Sequence, residues 1–164
     1  MISADGETVV FNSGSDNLVP SDNNNNRLDA FFREFCSTGA SWSNYGSGFP
    51  GTSGVPSLTS RSNPTIGSTI TLDLANSCAK PTVGLLFVGY QRTTIPTNLG
   101  GDLLVVPALS IFVTFSCGGE WFTGAIPKDE TLCGTTIDLQ AIESDPGAVK
   151  GVSFTPGLEL VIGH

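Results

Sequence analysis

A chain of 164 residues has room for one good core, or for one domain with a short extension. Charged residues make up 13% and the formal net charge is −8, so the chain lacks the cations that neutralise a run of phosphates or hold an anionic membrane surface. Twenty Gly and ten Pro without low complexity imply many turns and short strands, and the acidic, Lys-poor, Ser/Thr/Asn-rich remainder fits a protein outside cells.

In chain order, residues 1–36 hold two strand-like runs, Glu7–Asn12 and Arg27–Phe35, around a polar loop with four consecutive Asn at 23–26. Residues 37–68 are rich in Ser, Gly, Pro and Asn and carry Trp42, Tyr45 and Phe49, which predicts a linker or an edge segment lying on the next domain. From Thr69 a dense series of strands is expected: Thr69–Ala75, Val83–Gln91, Asp102–Val106, Leu109–Cys117, Glu120–Ile126, Thr135–Ile142 and Gly151–Ile162. Alternation in Thr69–Leu74 turns Ile70, Leu72 and Leu74 inward, and Ile137, Leu139, Leu158 and Leu160 repeat the pattern. The expected fold is all-β: an antiparallel β-sandwich, immunoglobulin-like or jelly-roll-like, of about seven strands over residues 69–164, with an N-terminal β-hairpin extension.

The four cysteines are Cys36, Cys78, Cys117 and Cys133, with no C-x-x-C pair and only His164 as imidazole. Scattered thiols of this kind read as two disulfides rather than a zinc site, hence an oxidising, extracellular or cell-surface location. Four free thiols in a cytosolic chain is the alternative. If successive strands alternate in direction, Cys78 and Cys133 lie at one end of the sandwich and Cys36 and Cys117 at the other. That is one of the three pairings four cysteines allow. Met1–Asp5 has neither a basic nor an apolar signal region, which reads as a mature portion whose export signal lay upstream. The longest apolar runs, Val83–Tyr90 and Leu103–Leu109, are too short to span a bilayer as a helix.

No catalytic constellation is expected. A Ser or Cys nucleophile needs a base, and the carboxylate pairs Asp129/Glu130 and Glu143/Asp145 fall in turn-like, solvated sequence. Asp22, Asn24 and Asn26 offer oxygens at alternate positions, as calcium prefers, but Asx-turn chemistry explains the same residues. No other cofactor is expected. Trp42, Tyr45 and Trp121 are the amphipathic aromatics that could stack on a sugar, against a plain role in core or interface.

Two resemblances add to this. Ile2–Phe11, then Asn17–Asn23, then Asp29–Glu34 resemble one repeat of a TolB-type β-propeller, less than the four blades a propeller needs. The stretch from Tyr45 onward, with Thr65–Leu72, Gly84–Gly89 and Gly157–Val161, resembles the C-terminal β-sandwich modules of large secreted bacterial proteins, but has Phe49 where those often carry Cys. The second resemblance implies export and a terminal accessory or assembly role. The first implies an isolated half-blade that leaves Val9, Phe11, Phe31 and Phe35 along unpaired strand edges, suited to adding a strand to a neighbour's sheet. The sequence therefore points to an extracellular structural module, a self-associating subunit of a fibre or surface appendage. A carbohydrate-binding or adhesive module with a glycan or cell-surface polymer as partner is the alternative.

Overall fold

Alternation does what it predicts where one face meets a core. Ile70, Leu72 and Leu74 are all buried, as are Leu139, Leu158 and Leu160. The computed structural model of the chain describes residues 1–4, 8–15, 17–19 and 27–164, in two units, Met1–Ser37 and Thr38–His164. The protein is all-β, its only helical turn being a 3₁₀ turn at Glu130–Leu132 among the described residues. Its strands are β1 (Thr8–Ser13), β2 (Asp29–Glu34), β3 (Ser41–Tyr45), β4 (Leu58–Ser60), β5 (Thr69–Leu74), β6 (Thr82–Gly89) and β7 (Arg92–Pro96). They continue with β8 (Asp102–Val105), β9 (Leu109–Phe115), β10 (Glu120–Ala125), β11 (Thr136–Ser144), β12 (Val152–Phe154) and β13 (Gly157–Val161).

In the larger unit, one antiparallel sheet runs β3-β13-β11-β6-β9, with β12 also on β11, and a second runs β10-β5-β4. Their inner faces enclose the core, with Leu58, Ile70, Leu72 and Leu74 against Leu86, Val113, Phe115, Leu139, Ala141, Leu158 and Leu160. This is the sandwich, and it begins at Thr38 rather than at 69. The stretch expected as linker or edge segment supplies β3 and β4, because Ser41–Tyr45 pairs with β13 and Leu58–Ser60 with β5. The hairpin β7-β8 was not expected as a pair, since Arg92-Thr93-Thr94 and Pro96 do not read as a strand. It covers part of the far side of β11. Asp138 and Gln140, which alternation turns outward, are therefore buried there. In the smaller unit β1 pairs with β2, with Phe11 opposite Phe31.

The cysteines correct the expected pairing. Cys36 and Cys133 are disulfide-bonded, and Cys78 and Cys117 are free thiols. Neither Cys78–Cys133 nor Cys36–Cys117 forms. The reason lies in β7, a strand absent from the parity argument. One added strand reverses the direction assigned to everything after it, so β9 runs antiparallel to β6 and delivers Cys117 to the end that holds Cys78. The Cys78 amide bonds Glu143 near the C-terminal end of β11, whereas Cys133 precedes the N-terminal end of that strand. Alkylation of the denatured, non-reduced chain should therefore tag two thiols, Cys78 and Cys117, by peptide mass mapping. Tagging of none or of all four would contradict this arrangement.

Candidate functional site

β9 reads Leu-Ser-Ile-Phe-Val-Thr-Phe over seven residues, without a charge, a Gly or a Pro. Strands of this composition pair readily, and natural sheet edges normally carry a Lys, a Pro or a bulge to prevent it. β9 is such an edge: among the described residues it pairs on one side, with β6. Its inward row is Leu109, Ile111, Val113 and Phe115. The last two are buried in the core, while Leu109 and Ile111 are 56% and 39% exposed. The opposing sheet also ends short there, at β10, another edge.

Between these two edges the sandwich is open. An apolar cleft of about 280 Å³ is lined by Ile70, Leu86, Val88, Ile111, Phe122 and Leu139. Gly124 borders it, and a Cβ built there would touch nothing within 4 Å. On the outward side of β9, Phe112 is 66% exposed and lies opposite Leu85, which with Val83 continues an apolar strip. Exposed apolar side chains thus stand on both faces of β9, Leu109 and Ile111 inward and Phe112 outward, beside an edge that no strand pairs with among the described residues.

The hairpin in the smaller unit is apolar on both faces too. Val9 shares a face with Phe11 and Phe31, whose rings stack at 5.6 Å, and Val10 lies opposite Phe32 on the other. Phe32 is 72% exposed, and Val10, Phe11 and Phe35 are exposed as well. Arg33 lies over the Phe35 ring at 5.3 Å. The outer side of β1 is already occupied by Met1 and Ser3, through Val10 N to Met1 O at 2.7 Å and Ser3 N to Thr8 O at 2.9 Å. Among the described residues no strand pairs with the outer side of β2. Phe32, which the sequence reading passed over for its neighbours, is the most exposed aromatic of the pair. Period two alone would have flagged it, because a hairpin with both faces apolar has no solvent side.

The other expected site residues fall apart in space. Trp42 lies opposite Leu160 and packs against the core. Tyr45 is covered by the Arg92 guanidinium at 4.0 Å and donates its hydroxyl to Leu104 O at 3.2 Å. Burial first, then the neighbouring Asp138 carboxylate, raises the Tyr45 hydroxyl well above its usual range. These two aromatics serve packing, and Trp121 alone of the three stands exposed, on the outer face of β10. Asp22, Asn24 and Asn26 lie outside the described residues. Among the described residues no group of three or more His, Cys, Asp or Glu gathers as a metal site would need.

Of the carboxylate pairs, Asp129 caps the 3₁₀ turn in solvent, and Glu130 meets His164 at 3.1 Å. Glu143 and Asp145 depart from expectation, since both are buried rather than solvated. Glu143 Oε1 accepts from the amides of Ser77 and Cys78, at 2.7 and 2.9 Å, and Asp145 accepts from Thr52 and Gly147. Their donors come from three loops, so the pair ties the loops at one end of the sandwich together. No helix among the described residues is long and apolar enough to cross a membrane. No protein-family model matches the chain, and no curated protein or solved structure matches it.

Proposed function

We propose that the chain is an extracellular structural subunit that assembles by strand addition, with β2 of one copy laid on the free edge β9 of the next. The observation that carries this reading is β9 itself: seven uncharged residues with one side unpaired among the described residues and exposed apolar side chains on both faces. An added strand satisfies the unpaired backbone groups, and its alternate side chains enter the cleft beside Gly124 and cover Phe112. The hairpin supplies the complementary need. Two strands alone bury too little to be stable in water, and this pair has Phe on each face and β2 as its open side. Because donor and acceptor are different surfaces, the contact is head-to-tail and propagates into a filament unless a ring closes. The disulfide-bonded Cys36 and Cys133 suit an oxidising compartment.

Native mass and negative-stain images of the non-reduced chain test this directly. Filaments or large oligomers are expected. Ile111→Lys places a cation in the middle of the acceptor edge and should give monomers of 17.0 kDa, and Phe32→Asp on the donor should do the same. A monodisperse monomer of the unaltered chain would sink the proposal. So would polymers indifferent to both substitutions.

A further inference from the structure

We infer that the outer face of the smaller sheet carries a binding site for neutral carbohydrate, centred on Trp121. Exposed indole is costly to leave uncovered, and Trp121 is 59% exposed on the outer face of β10. Strand register sets its surroundings. Trp121 lies opposite Asp73 on β5, and Asp73 lies opposite Thr59 on β4, which puts an aromatic ring, a carboxylate and a hydroxyl in one row across the sheet. Arg61 follows β4 and grips Asp73 through two parallel bonds, Nε to Oδ2 at 2.6 Å and Nη2 to Oδ1 at 2.5 Å.

That fork fixes both groups without exhausting them. The guanidinium keeps N–H donors and the carboxylate keeps acceptor lone pairs, side by side, which is the array that adjacent sugar hydroxyls require. The cleft they line measures about 390 Å³, with Ser57, Glu120 and Trp121 completing its wall, within the roughly 300–1,000 Å³ range of small-ligand sites. Its far side is held rigid. Gly119 has φ +96°, and a Cβ there would lie 2.5 Å from Leu74 O. Ser116 O accepts from Asn76 Nδ2 at 2.6 Å and Ser116 Oγ donates to Gly119 O. A preformed, half-apolar, half-polar trough with one flat aromatic wall fits a sugar ring, whose C–H face stacks while its hydroxyls bond. Arg61 is matched by Asp73, and among the described residues Glu120 forms no ion pair, so a lining with one cation and two carboxylates is net negative on an acidic protein. Uronates and sulfated polymers are disfavoured, and neutral hexose polymers are the class that remains.

The site lies on the outer face of a different sheet from β9, and its test is separable from assembly. Affinity electrophoresis of the full chain and of Ile111→Lys would use gels containing glycogen, a soluble β-1,3-glucan, hydroxyethylcellulose or galactomannan, with polygalacturonate as the anionic control. Retardation by at least one neutral polymer is expected. Trp121→Ala should weaken it by roughly tenfold or more, as when a central aromatic anchor is truncated. Asp73→Asn, which keeps the fold while loosening the fork, should weaken it as well. Absence of retardation by every neutral polymer would overturn the inference. So would retardation unchanged in both variants, or equal retardation by polygalacturonate.

Discussion

Gln140→Leu is expected to lower the stability of the sandwich by about 4 kcal/mol, although it replaces a side chain by one of similar size. Gln140 is fully buried on the central strand β11. Its Oε1 accepts from Leu104 N at 2.8 Å, and its Nε2 donates to Asp102 O at 3.0 Å and to Thr155 O at 3.1 Å. One amide thus closes three backbone bonds that no sheet ladder supplies. Leucine leaves Leu104 N, Asp102 O and Thr155 O without their partner. Each buried orphan costs about 1–3 kcal/mol, reduced where water reaches it. The loss is a large part of the 5–15 kcal/mol that a domain of this size holds. The urea midpoint would measure it, and amide exchange at Leu104 should accelerate first. A loss below about 1 kcal/mol would show that the hairpin β7-β8 is held by packing of Leu104 and Val105 instead. Gln140→Glu points a carboxylate oxygen at the Asp102 and Thr155 carbonyls in a buried site, and at neutral pH should cost at least as much as leucine.

Asp145 gives the second large effect, and gives it a pH dependence. It is fully buried and accepts from Thr52 N at 2.6 Å, Thr52 Oγ1 at 2.5 Å, Gly147 N at 3.0 Å and Ser77 Oγ at 3.2 Å. Burial alone would raise its carboxyl, but the bonds from Thr52, Gly147 and Ser77 outweigh that and hold it below the ordinary range. A folded-state value below the unfolded one means the contribution is complete above about pH 4 and is lost as pH falls through and below it. Asp145→Ala should cost about 3 kcal/mol at neutral pH, by stranding buried donors. It should also flatten the decline of the melting temperature between about pH 5 and pH 2 relative to the unaltered chain. Equal acid sensitivity in both would show that Asp145 is not the group responsible.

Alternation made the core legible wherever a strand has one wet face. Ile70, Leu72, Leu74, Leu139, Leu158 and Leu160 could be placed from their own neighbours, because the period of two is a local property. Asp138 and Gln140 have the same local pattern and the opposite outcome. Their side of β11 is covered by a hairpin whose first strand, with Arg92 and Pro96, has no strand signature of its own and forms only by pairing. β3 is similar: Ser-Trp-Ser-Asn-Tyr becomes a strand because β13 is beside it. The missed β7 then reversed the parity argument for the cysteines. On β9 the strand was visible but the exposure of its residues was not. Whether the opposing sheet reaches far enough to cover Leu109 and Ile111 is not encoded in either strand alone. Trp121 could be named as amphipathic from its type, but its separation from Trp42 and Tyr45 depends on which sheet each strand joins.

The partnership of β3 with β13 also constrains the order in which this protein can be made. Residues 41–45 have, among the described residues, no strand to pair with except 157–161. As the chain leaves the ribosome, β3 emerges early and waits while more than a hundred residues are added. β11, the strand that β13 joins, also arrives late. The large sheet therefore closes only after residues 157–161 have been made. Such distant pairings place a fold among the slow ones, with folding on the order of milliseconds to seconds. For the later part of that interval β9 is already present and uncharged, with no strand on its outer edge among the described residues. Timing, as much as sequence, governs whether its first partner is β6 of the same chain or a strand of another.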